Sequence, residues 1–162
     1  MSEADPVSTA APGGEAAAAV PFIDALRARV AERRADGGHL AVLLIECGVV
    51  GRIDAVWGYQ VGDSVRARVA GLLRADVLRP DDLLGELGRD DFACVLSIVD
   101  GPAVAMLAAT KSLRALNTPF WIGEDEIYAS PAIGIAMFPE HGEEAETLLQ
   151  RLLEGAADRH HL

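Results

Sequence analysis

The 162-residue chain predicts an α/β domain of the α+β kind, a mostly antiparallel central sheet flanked by helices. Three observations carry that expectation. His39–Cys47 and Ala132–Phe138 are continuous apolar runs of strand length, as expected for central strands buried on both faces. The stretches around Glu86–Ala93 and Gly123–Asp125 each place a glycine and a polar cluster between two β-type runs, which reads as a hairpin. Between these lie amphipathic segments with helical spacing.

Residues 1–19 are rich in Ala, Pro, Gly and Ser without periodicity and read as a disordered tail, leaving 20–162 as the domain. From Val20 to Asp36, the positions Phe22, Ile23, Leu26 and Val30 follow helical spacing, and Gly37-Gly38 stops the helix. After the His39–Cys47 strand, Gly48–Gly58 is mixed, with Ile53, Val56 and Trp57 suggesting a short helix. Asp63–Val77 is amphipathic, with Val65, Val69, Leu72, Leu73 and Val77 on one side and Arg66, Arg68 and Arg74 on the other. Arg79-Pro80-Asp81-Asp82 is a turn, because proline stops the helix. The first hairpin follows, then a helix from Gly101-Pro102 to about Leu116. The second hairpin joins Phe120–Ile122 to Glu126–Ala129, and Pro139 ends the Ala132–Phe138 strand. A last helix runs from Glu143 to about Ala157 with Leu148, Leu149, Leu152 and Leu153 inside.

Net charge and composition narrow the function. A formal charge of −11 argues against non-specific nucleic-acid binding and against an anionic membrane surface. No run approaches the roughly 20 apolar residues of a membrane span, and the first residues lack a signal-peptide pattern. Cys47 and Cys94 sit in apolar runs, as buried reduced thiols do in a cytoplasmic protein. The four histidines show no metal-ligand spacing with the cysteines. The tip of the first hairpin is the unusual feature. Glu86-Leu87-Gly88-Arg89-Asp90-Asp91-Phe92 sets carboxylates and an arginine at a buried turn, a pattern better suited to a metal or phosphate than to stability.

In this order and spacing, Leu43-Leu44-Ile45-Glu46, Arg52-Ile53-Asp54, Gly58-Tyr59-Gln60-Val61-Gly62-Asp63, Arg79-Pro80-Asp81-Asp82, Gly88-Arg89-Asp90-Asp91-Phe92, Ile133-Gly134-Ile135-Ala136 and Pro139 resemble the GGDEF domain of diguanylate cyclases over roughly residues 22–157. The resemblance implies a nucleotidyl-cyclase or palm-like fold with a ferredoxin-like core. It also implies an activity: condensation of two GTP into cyclic di-GMP across a homodimer with divalent metal. Degenerate members act instead as receptors or regulators, often joined to an EAL-type phosphodiesterase domain.

Residue by residue, the resemblance implies an altered catalytic site. The family's two metal carboxylates fall on Glu46 and Asp91 with their lengths exchanged, and magnesium is sensitive to that reach. Arg89 stands where the signature has its second glycine, bringing a Cβ and a long side chain toward the triphosphate. A guanidinium is also a bidentate phosphate ligand, but obstruction is the favoured reading because cationic positions are lost at Gly51 and near His160. Arg89 and Asp90 are thus vestiges of a catalytic loop, and Asp54, Asp63 and Gly88 vestiges of a GTP site. Asp54 replaces an asparagine and can only accept hydrogen bonds, while Asp63 also fits a helix N-cap. Gly48 replaces a second aspartate of the first-strand motif.

Arg79 and Asp82 form an intact RxxD motif, five residues before the signature, which in the family is the inhibitory site for cyclic di-GMP. Arginine forks onto phosphate or the guanine Hoogsteen edge, and aspartate accepts from guanine. Glu86, in place of a family arginine, sets a negative charge close by, and Lys111 or Arg114 is a candidate second cation. The expected function is that of a catalytically impaired, cyclic di-GMP-binding or regulatory module. The alternatives are a weak magnesium-dependent cyclase acting on GTP and a nucleotide-free dimerisation domain regulating an EAL phosphodiesterase.

Overall fold

The computed structural model describes residues 15–161, with side chains from Phe22 to Asp158. In chain order the elements are α1 (Glu15–Asp36), β1 (His39–Glu46), α2 (Val50–Trp57), α3 (Tyr59–Asp76), β2 (Leu83–Glu86), β3 (Asp91–Val99), α4 (Pro102–Leu116), β4 (Phe120–Ile122), β5 (Asp125–Ile127), β6 (Ala132–Phe138) and α5 (Ala145–His161). The main sheet has the order β2-β3-β1-β6 with every neighbouring pair antiparallel, and β4 and β5 form a separate hairpin. This is the expected antiparallel sheet flanked by helices.

Central strand β1 explains why its sequence is apolar without alternation. Leu40, Val42 and Leu44 point to one face, where they pack with Phe22, Leu26 and Val30 of α1 and Leu148 and Leu152 of α5. Ala41, Leu43 and Ile45 point to the other, against Ile53 of α2, Val65, Val69 and Leu73 of α3, and Leu116 of α4. Each large side chain so buried contributes about 1.5–3 kcal/mol. On the first face a Cβ at Gly85 would lie 2.5 Å from the Phe22 ring, so this glycine lets α1 settle onto β2.

Three boundaries differ from the sequence expectation. Helix α1 begins at Glu15, so the last five residues of the expected tail are helical; Glu15 and the alanine run after it are strong helix formers. Residues 1–14 of that tail lie outside the described residues. Helix α3 begins at Tyr59, not Asp63, and its N-cap is Gly58 at φ 95° with no side-chain cap. The capping reading of Asp63 is therefore corrected: the residue lies on the second turn. Helix α5 starts at Ala145 and buries Leu148, Leu152 and Ala156 at i, i+4 and i+8. Leu149 flanks that stripe, but Leu153 is 55% exposed, because the next position around the helix turns away from the sheet. Among the described residues, no helix is long and apolar enough to cross a membrane.

Candidate functional site

The first hairpin turn is pinned to the end of β1. The Cys47 N–H donates to the Asp90 carbonyl at 2.8 Å, and the Leu87 N–H to the Asp91 carbonyl at 2.9 Å. Asp90 itself turns toward α2. Its Oδ1 accepts from the Val49 and Val50 N–H groups at 2.9 and 2.7 Å, and its Oδ2 from the Gly51 N–H at 2.8 Å. The first amides of a helix are a natural anion site. Here the anion is the chain's own carboxylate. Just before this nest, Gly48 has φ 68°, and a Cβ there would lie 2.6 Å from the Ser130 carbonyl oxygen. The Ser130 N–H donates to the Cys47 carbonyl at 2.9 Å, so the 128–130 segment crosses too closely for any side chain at position 48.

Arg89 leaves the same turn toward the next turn of α2 and the second turn of α3. Its Nε and Nη2 grip Asp54 at 2.9 and 2.6 Å as a two-pronged pair, and its Nη1 reaches Asp63 at 2.5 Å. The guanidinium also lies 5.0 Å from the centroid of the Tyr59 ring. The Arg89 hydrogen bonds hold the Asp54 carboxyl below its ordinary range, and the bond to Asp54, followed by that to Asp63, raises the arginine in turn. A Cβ at Gly62 would lie 1.7 Å from Asp54 Oδ1, so the clamp needs a glycine on α3. The two aspartates expected as separate vestiges are thus brought together, on adjacent helices, around one arginine.

Glu46 and Asp91 face each other as paired residues of β1 and β3. A Cβ at Gly88 would lie 3.4 Å from Asp91 Oδ2, which puts this carboxylate against the signature glycine. Two hard oxygen donors on facing strands fit a magnesium ion whose remaining ligands come from substrate and water. The neighbouring acid, Asp90, is engaged by three amides. Among the described residues no cluster of three or more His, Cys, Asp or Glu side chains could hold a metal. Burial, and then the charges of Asp90 and Asp91, push the Cys47 thiol up to about 12, so it stays protonated beside this loop.

The second expected site, Arg79 and Asp82, lies at the other end of the sheet. The Asp82 side chain is 1% exposed, while that of Arg79 is 55% exposed. Asp82 Oδ2 accepts from the Arg79 N–H at 3.0 Å, and Oδ1 from the Ser97 N–H at 3.0 Å. Arg79 Nη2 donates to the Ile98 carbonyl at 2.6 Å, which lays the guanidinium along the end of β3. Glu86 pairs with Arg66 at 2.8 Å, both side chains largely buried. The acid expected to repel an anionic ligand is therefore neutralised from α3. Arg114 lines a groove with Thr110, Leu113, Asn117 and Pro131, which includes no residue of the turn. The side chain of His160 lies outside the described residues.

Sequence reasoning missed Tyr59, Ser97 and Ser130. Ser97 left a signal, being the only hydroxyl in the apolar run Phe92–Val99, and it is 3% exposed. Tyr59 and Ser130 left none, because only the tertiary fold sets a ring beneath Arg89 and a backbone over Gly48.

Residues 20–155 match the family described as diguanylate cyclase, GGDEF domain. The chain is 32% identical over 112 residues to the diguanylate cyclase TpbB of Pseudomonas aeruginosa strain UCBPP-PA14, covering 68% of this chain and 26% of that protein. It is 29% identical over 126 residues to the bifunctional diguanylate cyclase/cyclic di-GMP phosphodiesterase MucR of Pseudomonas aeruginosa, covering 78% of this chain and 18% of that protein. The chain thus spans about a quarter or less of these relatives' length. The crystal structure of the GGDEF domain of PA1120 (YfiN or TpbB) from Pseudomonas aeruginosa superposes with a TM-score of 0.77 at 28% identity, covering 83% of this chain and 84% of that one.

Proposed function

The chain belongs to the GGDEF domain family, and from that membership we propose that it is a catalytically impaired member that binds cyclic di-GMP at Arg79 and Asp82. The observation that carries this reading is the engagement of the signature loop with the protein's own groups. Arg89 grips Asp54 with two bonds and Asp63 with one, and Asp90 fills the amide nest at the start of α2. A GTP molecule entering there would have to displace a charge-assisted, two-pronged ion pair and a carboxylate with three hydrogen bonds. It would do so with no lysine at Gly51 to receive its phosphates. Glu46 and Asp91 are the residues that would hold magnesium, and the ion would supply neutralisation of triphosphate charge. Their retention is what favours a residual cyclase as the second reading.

Arg79 offers a different surface. Its side chain is more than half exposed, its backbone is fixed by Asp82, and the acid at Glu86 is paired. A cyclic dinucleotide carries two phosphodiesters and two guanine edges, both of which a guanidinium fork matches. Asp82 acts mainly as the buried brace that aims Arg79. Calorimetric titration of the purified chain with cyclic di-GMP tests this: a Kd in the micromolar range is expected for wild type, with loss of measurable heat in Arg79→Ala. A wild-type titration without heat, or binding unchanged in Arg79→Ala, overturns it.

A further inference from the structure

The Arg79–Asp82 turn is tied to helix α1 through the buried hydroxyl of Ser97 and the two α1 arginines that meet Ser97 and the turn. On β3 the pairing shifts by one residue between His39↔Val99 and Ala41↔Leu96, so Ser97 and Ile98 sit at a bulge. Bulges re-aim the groups around them. Ala93 and Val95 face α1, and Ser97 continues that alternation before the bulge returns Val99 to the opposite core. Ser97 Oγ donates to the Asp81 carbonyl at 2.7 Å and accepts from Arg29 Nε at 2.9 Å. Arg29 Nη2 donates to the same Asp81 carbonyl at 3.1 Å. Arg33, one helical turn on, donates from Nη1 to the Ser97 carbonyl at 2.7 Å. The Ser97 N–H, finally, is the donor that Asp82 Oδ1 receives.

Every polar group of Ser97 therefore joins the turn to α1. An apolar residue would fill the space equally well but would leave the Arg29 guanidinium and the Asp81 carbonyl without their common partner. We propose that Ser97 is a positioning residue that makes the Arg79–Asp82 turn and the Arg29–Asp36 end of α1 one mechanical unit, so that a cyclic dinucleotide held by Arg79 is felt at α1. The ligand half of this statement rests on the function proposed above. A phosphodiester that draws Arg79 from the Ile98 carbonyl acts on the bulge to which Arg33 and Arg29 are bonded. By linkage, loosening α1 weakens ligand binding by the factor with which ligand alters α1. The Phe22 and Leu26 contacts keep the preceding turns of α1 on the sheet throughout, so the change is confined to its last two turns.

Amide hydrogen exchange on the full chain, with and without cyclic di-GMP, tests the coupling in wild type, Ser97→Ala, Ser97→Thr and Arg29→Ala. Without ligand, Arg29→Ala and Ser97→Ala should each speed exchange at Asp82 and Ser97, and Ser97→Thr should restore protection. With ligand, wild type should show altered exchange over residues 29–36, and Ser97→Ala should lose that response while still binding. Ligand binding with no change over 29–36, or an equal change in Ser97→Ala, overturns the inference and leaves the proposed function standing. If wild type binds no cyclic di-GMP but Arg29→Ala still loosens Asp82 and Ser97, the mechanical unit is supported and the Arg79 reading fails. Unchanged exchange at Asp82 and Ser97 in both ligand-free variants overturns the unit itself.

Discussion

Replacing Asp82 by alanine separates the structural from the ligand-binding side of the RxxD turn. The carboxylate is 1% exposed and accepts from two backbone N–H groups. Ser97, which supplies one of them, is 3% exposed, so its N–H finds no water once the carboxylate is gone. A buried donor left unsatisfied costs about 1–3 kcal/mol. The Arg79 N–H belongs to an exposed residue and is rehydrated, adding roughly 0.5 kcal/mol at most. The total, about 1–3.5 kcal/mol, corresponds to a fall in Tm of about 2–14 °C for a domain of this size. Circular dichroism during thermal unfolding measures it, with Arg79→Ala as the control, expected within about 2 °C of wild type because its exposed side chain makes a weak ion pair and its bond to the carbonyl of the exposed Ile98 is replaced by water. Asp82→Ala unfolding within about 1 °C of wild type would refute the bracing role, since no buried N–H could then depend on this carboxylate.

Two other outcomes follow from the fold and the clamp. Leu148→Ala should cost about 2–5 kcal/mol in urea unfolding, because the side chain is fully buried between α5 and the sheet, whereas Leu153→Ala should stay within about 0.5 kcal/mol. The Arg89 clamp should appear as an acid limb in stability. Asp54 has a lower pKa folded than unfolded, so its contribution is present above the unfolded value of about 3.9 and is lost as pH falls through the folded one. The difference in urea midpoint between wild type and Arg89→Gln should therefore be constant near neutrality and shrink below about pH 4, other carboxylates cancelling between the two chains.

Much of the fold was legible because the sequence states it redundantly. The unbroken apolar run of β1 announced burial on both faces, and the glycine-bearing turns announced hairpins. What was hidden depended on groups meeting across the chain. Asp63 has the chemistry of an N-cap, yet Gly58 at φ 95° joins two helices with a single residue, and no local pattern distinguishes that from a longer turn. Gly48 and Gly51 read from sequence as losses of charge. The Ser130 carbonyl explains the first, and the Asp90 carboxylate, 3.3 Å from a Cβ at position 51, crowds the second. Arg89 was legible as a long cationic side chain where the signature has a glycine, but its partners were not, because Asp54 and Asp63 are more than 25 residues away and were themselves read as ligand contacts. Ser97 was the most recoverable omission, a lone hydroxyl in an apolar strand.

The clamp bears on function through one assay above all, which is incubation of the purified chain with GTP and magnesium, followed by chromatographic detection of cyclic di-GMP. With Arg89 holding Asp54 and Asp63 and Asp90 seated in the α2 nest, the wild-type chain should form no detectable product. Steady formation of cyclic di-GMP by wild type, abolished in Asp91→Ala, would contradict the account and make the signature loop a working active site.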